Sequence, residues 1–195
     1  MYDIIVVSLE KGELSTMKVL FLDFDGVLNG EWHGNPEHLT THVHSDRIDR
    51  YYQNKHETQM YIKSVLQKYN VGSLKLDCVL DLDPEKVKLL NKIVDKTDCK
   101  IVFSTSWRGC GVENLTLYLC MNHFLFPNSC IDRTPFMDDR GEEIAHWLKG
   151  KDVEKYAILD DDFFDIADYH PSENFFHIKG LNHNDVDGII EFLNS

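Results

Sequence analysis

Two acidic pairs, each at the end of an apolar run, are the residues best placed to do chemistry in this chain. Residues 19–29 read Val-Leu-Phe-Leu-Asp-Phe-Asp-Gly-Val-Leu-Asn, an apolar run ending in Asp23 and Asp25, then Gly26. Residues 157–161 read Ala-Ile-Leu-Asp-Asp, a second apolar run delivering Asp160 and Asp161. Apolar runs of this length read as buried strands. Both pairs then fall at a strand's carboxyl edge, where open α/β sheets bind ligands. Alternation along a strand points Asp23 and Asp25 the same way, and Gly26 lets the backbone turn sharply out. Carboxylates gathered there, short of counter-charge, call for a hard cation with oxygen ligands.

An isolated Asp-x-Asp is more often a polar strand end or a helix cap, and the chain contains its own contrast. Asp81-Leu82-Asp83 is followed by Pro84-Glu85 and by Val87, Leu89, Leu90, Ile93 and Val94. There Asp83 reads as an N-cap and Pro84 as the first helical residue. After Asp25 comes glycine instead of proline, and the preceding run is fully apolar.

The elements that must position these acids alternate. A strand is expected over 18–24, a helix over 83–96, a strand over 100–103 and a helix over 113–122. A short strand follows at 130–134, then a helix over 140–149 with Ile144, Trp147 and Leu148 as its apolar stripe. Strands at 156–159 and 175–178 follow, and a helix at 185–193 with Asn184 as its cap closes the chain. Alternating strands and helices imply an α/β fold with a central parallel sheet. Residues 1–17 read as an extension or added edge strand, and 18–195 as the main domain. Residues 30–80 break the rhythm. A polar stretch carries Trp32 and four histidines (His33, His38, His42, His44), and a helix is expected over 46–69. His38 and His42 share a face if helical, but with no cysteine nearby solvated histidines are favoured over a structural zinc site.

The stretch Phe-Leu-Asp-Phe-Asp-Gly-Val-Leu-Asn resembles the first motif of the haloacid dehalogenase (HAD) superfamily of phosphotransferases. The resemblance implies a Rossmann-like three-layer sandwich with strand order third, second, first, fourth, fifth. It places a small, largely helical cap insertion after the first motif, at about 30–80. Three later stretches extend it in order. A hydroxyl after the buried strand at 100–103 fits the second motif, with Ser104 chosen and Thr105 the alternative. Ser-Thr-Ser-Trp-Arg is similar to a branch of the superfamily found in RNA-repair and related phosphatase domains. Trp107 and Arg108 then become substrate-binding candidates, or simply a packing residue and an ion-paired one. Arg140 stands where the superfamily usually has a lysine, with Lys149 and Lys151 as alternatives at the far end of that helix. Asp160 and Asp161 resemble the acidic fourth motif, and Asp165 is a candidate outer partner.

What the resemblance implies is a phosphomonoester phosphatase using Mg²⁺. Asp23 would be the nucleophile and Asp25 the proton donor and acceptor, with Ser104 and Arg140 binding the phosphoryl group. The turn at Gly26 would help hold it, and Asp23, Asp25, Asp161 and, through water, Asp160 would hold the metal. Aryl phosphates, phosphotyrosine included, are the preferred substrates, as small molecules or on a phosphoprotein; a nucleotide or nucleic-acid end is the alternative. A non-catalytic binding module is the reading of another class.

Composition bounds the rest. Of 195 residues, 20 are basic and 33 acidic, a net charge of −13. Such a surface repels polyanions and argues against a nucleic-acid groove unless one local patch reverses the sign. Five cysteines without a Cys-x-x-Cys fit reduced thiols. The apolar stretch at 4–7 is too short to span a bilayer, and nothing before it resembles a basic signal start. A cytoplasmic protein is expected.

Overall fold

The computed structural model describes residues 17–29, 82–163 and 165–195. The proposed cap at 30–80 with its helix and histidines, the extension at 1–16 and Asp81 lie outside the described residues. Five strands form one all-parallel sheet: β1 (Met17–Leu22), β2 (Lys100–Phe103), β3 (Cys130–Arg133), β4 (Val153–Asp160) and β5 (Phe175–His177). Their spatial order is β3-β2-β1-β4-β5, as the resemblance implies. The chain builds outward from β1 to one side, then crosses back and builds to the other, so the crevice beside β1 is the topological switch point.

Strand alternation sorts the core into two halves. Leu20, Leu22, Ile101, Phe103, Ala157 and Leu159 share one cluster with residues of α1 (Pro84–Thr97), α2 (Val112–Met121) and α5 (His183–Asn194). Val19, Phe21, Val102 and Ile158 face Ile144 and Trp147 of α3 (Arg140–Leu148) and Ile166 of the short α4 (Ile166–Tyr169). The result is helix layers on both faces of a sheet. On the α3 face, Phe21 meets Trp147 and Tyr156 edge-on, with centroids 5.3 and 6.0 Å apart. Truncating the fully buried Phe21 to alanine costs about 3–5 kcal/mol.

Local chemistry sets the ends. Asp83 caps α1, its Oδ1 accepting from Glu85 N–H at 2.9 Å, with Pro84 first in the helix. The cap of α5 is Asn182, not Asn184. Its side chain accepts from the N–H groups of Asn184 and Asp185, and Asp185 reciprocates to Asn182 N–H, a complete capping box. Strand β4 begins at Val153, three residues before the apolar run, because backbone pairing with β1 continues where side chains are already half exposed. The described cysteines Cys99, Cys110, Cys120 and Cys130 are free thiols. Burial pushes Cys130 up to about 12 and Cys99 up to about 11, which leaves both inert. No helix among the described residues is long and apolar enough to cross a membrane.

Candidate active site

Register gathers the acids. Leu22 pairs with both Phe103 and Leu159, so Asp23, Ser104 and Asp160 emerge side by side at the carboxyl edge. Asp23 follows the last residue of β1, its N–H bonded to Leu159 O at 3.0 Å. Beyond it the chain leaves the sheet in a turn over 25–28. Asp25 is therefore on that turn and not on the strand, yet both aspartates line one cavity of about 230 Å³. Asp160, Asp161, Asp162 and Asp165 line it too, with Arg140 as its single cation among the described residues.

The carboxylates of Asp23, Asp160 and Asp161 each bring an oxygen within 4.8 Å of the others. Arg140 Nη1 lies 2.9 Å from Asp160 Oδ2 and 3.7 Å from Asp23 Oδ2, and it also donates to Ser104 O. Asp160 Oδ1 accepts from Asp162 N–H at 3.0 Å, so both of its oxygens are engaged. One guanidinium does not neutralise this cluster. Burial first, and Asp160 second, push Asp23 up to about 7; burial and the neighbouring acids Asp161 and Asp162 push Asp160 up to about 6. Arg140 opposes both shifts. Clustered, desolvated, all-oxygen donors with one counter-charge fit a hard divalent cation such as Mg²⁺.

A stability prediction follows from the sign of these shifts. The folded chain keeps protons on Asp23 and Asp160 that the unfolded chain releases above pH ~4. Their contribution is therefore full below that pH and is lost as pH rises to about 7. In EDTA the melting temperature should fall across this window, and the fall should flatten in Asp23→Asn. Millimolar MgCl₂ should raise the melting temperature by several degrees near pH 7.5 and by much less near pH 5. A melting temperature indifferent to Mg²⁺ near pH 7.5 would contradict the cation site.

The turn after β1 is held from within. Gly26 has φ +67°, and its N–H donates to Asn29 Oδ1 at 2.7 Å. A Cβ at Gly26 would stand 2.0 Å from Asp161 Oδ2, so only glycine lets the turn pass beside that carboxylate. The Gly26 amide is thus bonded within the turn. Asp25 is clamped by three donors: Asn29 Nδ2 at 3.0 Å, Ser106 Oγ at 2.9 Å and Trp107 Nε1 at 3.0 Å.

The segment after β2 departs from expectation most. Ser104 continues the ladder, its N–H on Leu22 O at 2.9 Å, and its hydroxyl is buried without a hydrogen-bond partner among the described residues. It does not line the cavity. Thr105, the alternative, is fully buried, and its hydroxyl bonds the Asp23 carboxylate and favours its charged form. Thr105 Oγ1 also accepts from Trp107 N–H at 3.3 Å, capping the 3₁₀ turn Ser106–Cys110. The reason is register: Ser104 N–H still bonds Leu22 O, so the hydroxyl that reaches Asp23 belongs to the next residue, Thr105. Trp107 packs edge-on to Phe24, centroids 5.4 Å apart, and holds Asp25 through its indole N–H, so it orients a carboxylate.

Arg108 does not line the acidic cavity either. It is buried, paired with Glu143 Oε1, and donates to Thr105 O at 2.7 Å and Pro135 O at 3.3 Å. Glu143 in turn accepts from Met137 N–H at 3.0 Å. This buried pair ties the turn after β2 to the segment entering α3, which carries Arg140. Removing one partner leaves the other charge buried and alone, at a cost of about 3–5 kcal/mol. Arg108→Ala should therefore lower the unfolding free energy by about that much, read by urea denaturation. A fully stable variant with only a raised KM would instead restore the substrate-binding role.

Ser106, Asn29 and Glu143 were not singled out as site residues from the sequence. Ser106 lay within Ser-Thr-Ser-Trp-Arg, and a serine opening a helical turn beside the cavity was the available signal. Asp165, just before α4, accepts from Gly141 N–H at 2.5 Å and steadies the start of α3. Lys149 and Lys151 lie at the other end of α3, against a different cavity.

Residues 19–186 match the family described as the HAD domain in Swiss Army Knife RNA repair proteins. This chain belongs to that family. The matched span contains every described carboxylate of the cavity, all of β4 and most of β1. HAD domains are generally phosphatase-type or related hydrolases that use Mg²⁺, and this one carries a buried acidic cluster able to bind a metal. No curated protein and no solved structure matches the chain.

Proposed function

We propose that the chain is a Mg²⁺-dependent phosphomonoester phosphatase working through an aspartyl-phosphate intermediate. The observation that carries the reading is the convergence of Asp23, Asp25, Asp160, Asp161 and Arg140 on one cavity at the switch point of a HAD sheet. Asp23 and Asp161 would hold the cation, with Asp160 tied to Arg140; bound there, Mg²⁺ would offset the negative charge of the phosphoryl oxygens.

The chain's own residues supply the rest. Asp23 Oδ1 accepts from Phe24 N–H at 2.7 Å, which leaves Oδ2 as the attacking atom. Attack on phosphorus forms the Asp23 acyl phosphate and breaks the bond to the leaving oxygen. Asp25 gives that oxygen its proton. Water then attacks the acyl phosphate, Asp25 takes the water's proton back, and inorganic phosphate leaves with Asp23 restored. Ser106 and Trp107 keep the Asp25 carboxylate at one address through both transfers. Arg140 stabilises charge on the transferring group.

Aryl phosphates are the simplest substrates for such a site. A terminal phosphate on nucleotides or nucleic acid is the second reading, favoured by the family's description in RNA repair proteins. The test is release of phosphate from p-nitrophenyl phosphate with Mg²⁺, its loss in EDTA and its return on adding Mg²⁺ back. A well-folded preparation that binds phosphate compounds but never turns them over would leave the binding-module reading standing.

A further inference from the structure

A second cavity, of about 430 Å³, runs beside the last turn of α3 and the end of β3. Arg133, His146, Lys149 and Lys151 line it, together with Phe136 and Trp147. None of the four basic residues is ion-paired among the described residues. The one acid on its wall, Asp132, is already occupied: its Oδ2 accepts from Trp147 Nε1 at 2.7 Å and its Oδ1 from Arg133 N–H at 2.9 Å. Lys151 Nζ sits 4.6 Å above the Trp147 ring. Phe136 is 63 % exposed, with the Arg108 and Arg133 guanidinium groups 4.3 and 5.9 Å from its ring centroid, and Arg133 also donates to Arg108 O.

In a chain of net charge −13 this is a local reversal of sign, and it has a direction. Helix α3 begins at Arg140 on the acidic cavity and ends beside the basic one. Its nine residues span about 12 Å from first to last, the reach of roughly two to four nucleotides of strand. Unpaired cations beside an exposed ring are what a single strand engages, phosphates on the charges and a base on the aromatic face. An acidic peptide would use the charges but leave the ring without a role.

We infer that the cavity lined by Arg133, Phe136, Lys149 and Lys151 binds the backbone of a single-stranded nucleic acid whose terminal phosphate is the substrate. The inference deepens the phosphatase reading and rests on it for where the end of the strand goes, but binding at this surface is measurable without turnover. The probe is a dye-labelled ten-nucleotide single strand bearing a terminal phosphate, followed by fluorescence anisotropy in a salt series. The wild-type chain should bind it, and K149E/K151E should bind about tenfold or more weakly, with a salt slope reduced by ~1.4 for two lost phosphate contacts. F136A should weaken binding without changing the slope. Turnover of p-nitrophenyl phosphate should be the same in all three proteins. Equal affinity in wild type and K149E/K151E would overturn the inference. So would a phosphotyrosyl peptide of equal charge that binds as tightly and loses as much in K149E/K151E. Failure of wild type to hydrolyse p-nitrophenyl phosphate would count against the phosphatase reading alone, because the anisotropy result stands by itself.

Discussion

Asparagine in place of Asp23 should lower turnover of p-nitrophenyl phosphate by roughly four to six orders of magnitude, the scale on which removal of a covalent nucleophile acts. The substitution keeps the shape and a hydrogen-bonding oxygen, so Phe24 N–H retains its acceptor. The fold should survive and even gain. Asp23 is 6 % exposed and crowded by Asp160 and Asp161, and burial and Asp160 push it up to about 7. Replacing it with a neutral amide removes like-charge repulsion near neutral pH, so in EDTA the variant should melt at or above the wild-type temperature. That pairing of a dead enzyme with an undiminished melting temperature separates chemistry from damage. Trapping adds a third readout: wild-type chain quenched during turnover should carry phosphate on Asp23, and the variant should carry none. Retained turnover in Asp23→Asn would remove the nucleophile from the mechanism.

The sheet was readable from the sequence because its strands are short, apolar and separated by amphipathic helices. Such runs leave little choice of register when both faces are covered, as Leu22 between Phe103 and Leu159 illustrates. The acids were readable for the same reason, since each follows a run that must be buried. What stayed hidden is what depends on a single residue of register or on contacts between distant segments. Ser104 and Thr105 differ by one step along the ladder, and only the hydrogen bond from Ser104 N–H to Leu22 O shows where the sheet stops. Arg108 reads as an available guanidinium until Glu143, 35 residues later, is found against it. Trp107 reads as a substrate-binding or packing residue until its indole is found donating to Asp25, 82 residues earlier. Net charge is likewise a sum: −13 describes the whole chain, whereas Arg133, Lys149 and Lys151 gather on one wall. Long-range pairing is invisible to local pattern, and it is what converts a motif into a site.

Arg140 carries the second large effect, and it separates two alternatives that the sequence left open. Arg140→Ala should lower kcat by about 10²–10³, the usual loss when a preorganised donor to transition-state charge is removed. Alanine at Lys149 or Lys151 should change turnover of a small aryl phosphate by less than about twofold, because those side chains line the other cavity. Arg140 is fixed from several sides: Asp160 Oδ2 at 2.9 Å, Glu143 Oε2 at 3.7 Å and the Ser104 carbonyl. Lysine at this position keeps the charge but not the planar fork that meets Asp160 and the carbonyl together. Arg140→Lys should therefore recover part of the activity and not all of it. Loss of the guanidinium also leaves Asp23 and Asp160 without their nearby cation. In EDTA, Arg140→Ala should deepen the fall in melting temperature as pH rises from ~4 and extend it to higher pH, and saturating Mg²⁺ should restore stability more fully than turnover. Equal losses from Arg140→Ala and Lys149→Ala in the aryl phosphate assay would move the phosphoryl-binding cation to the far end of α3 and refute the arrangement described.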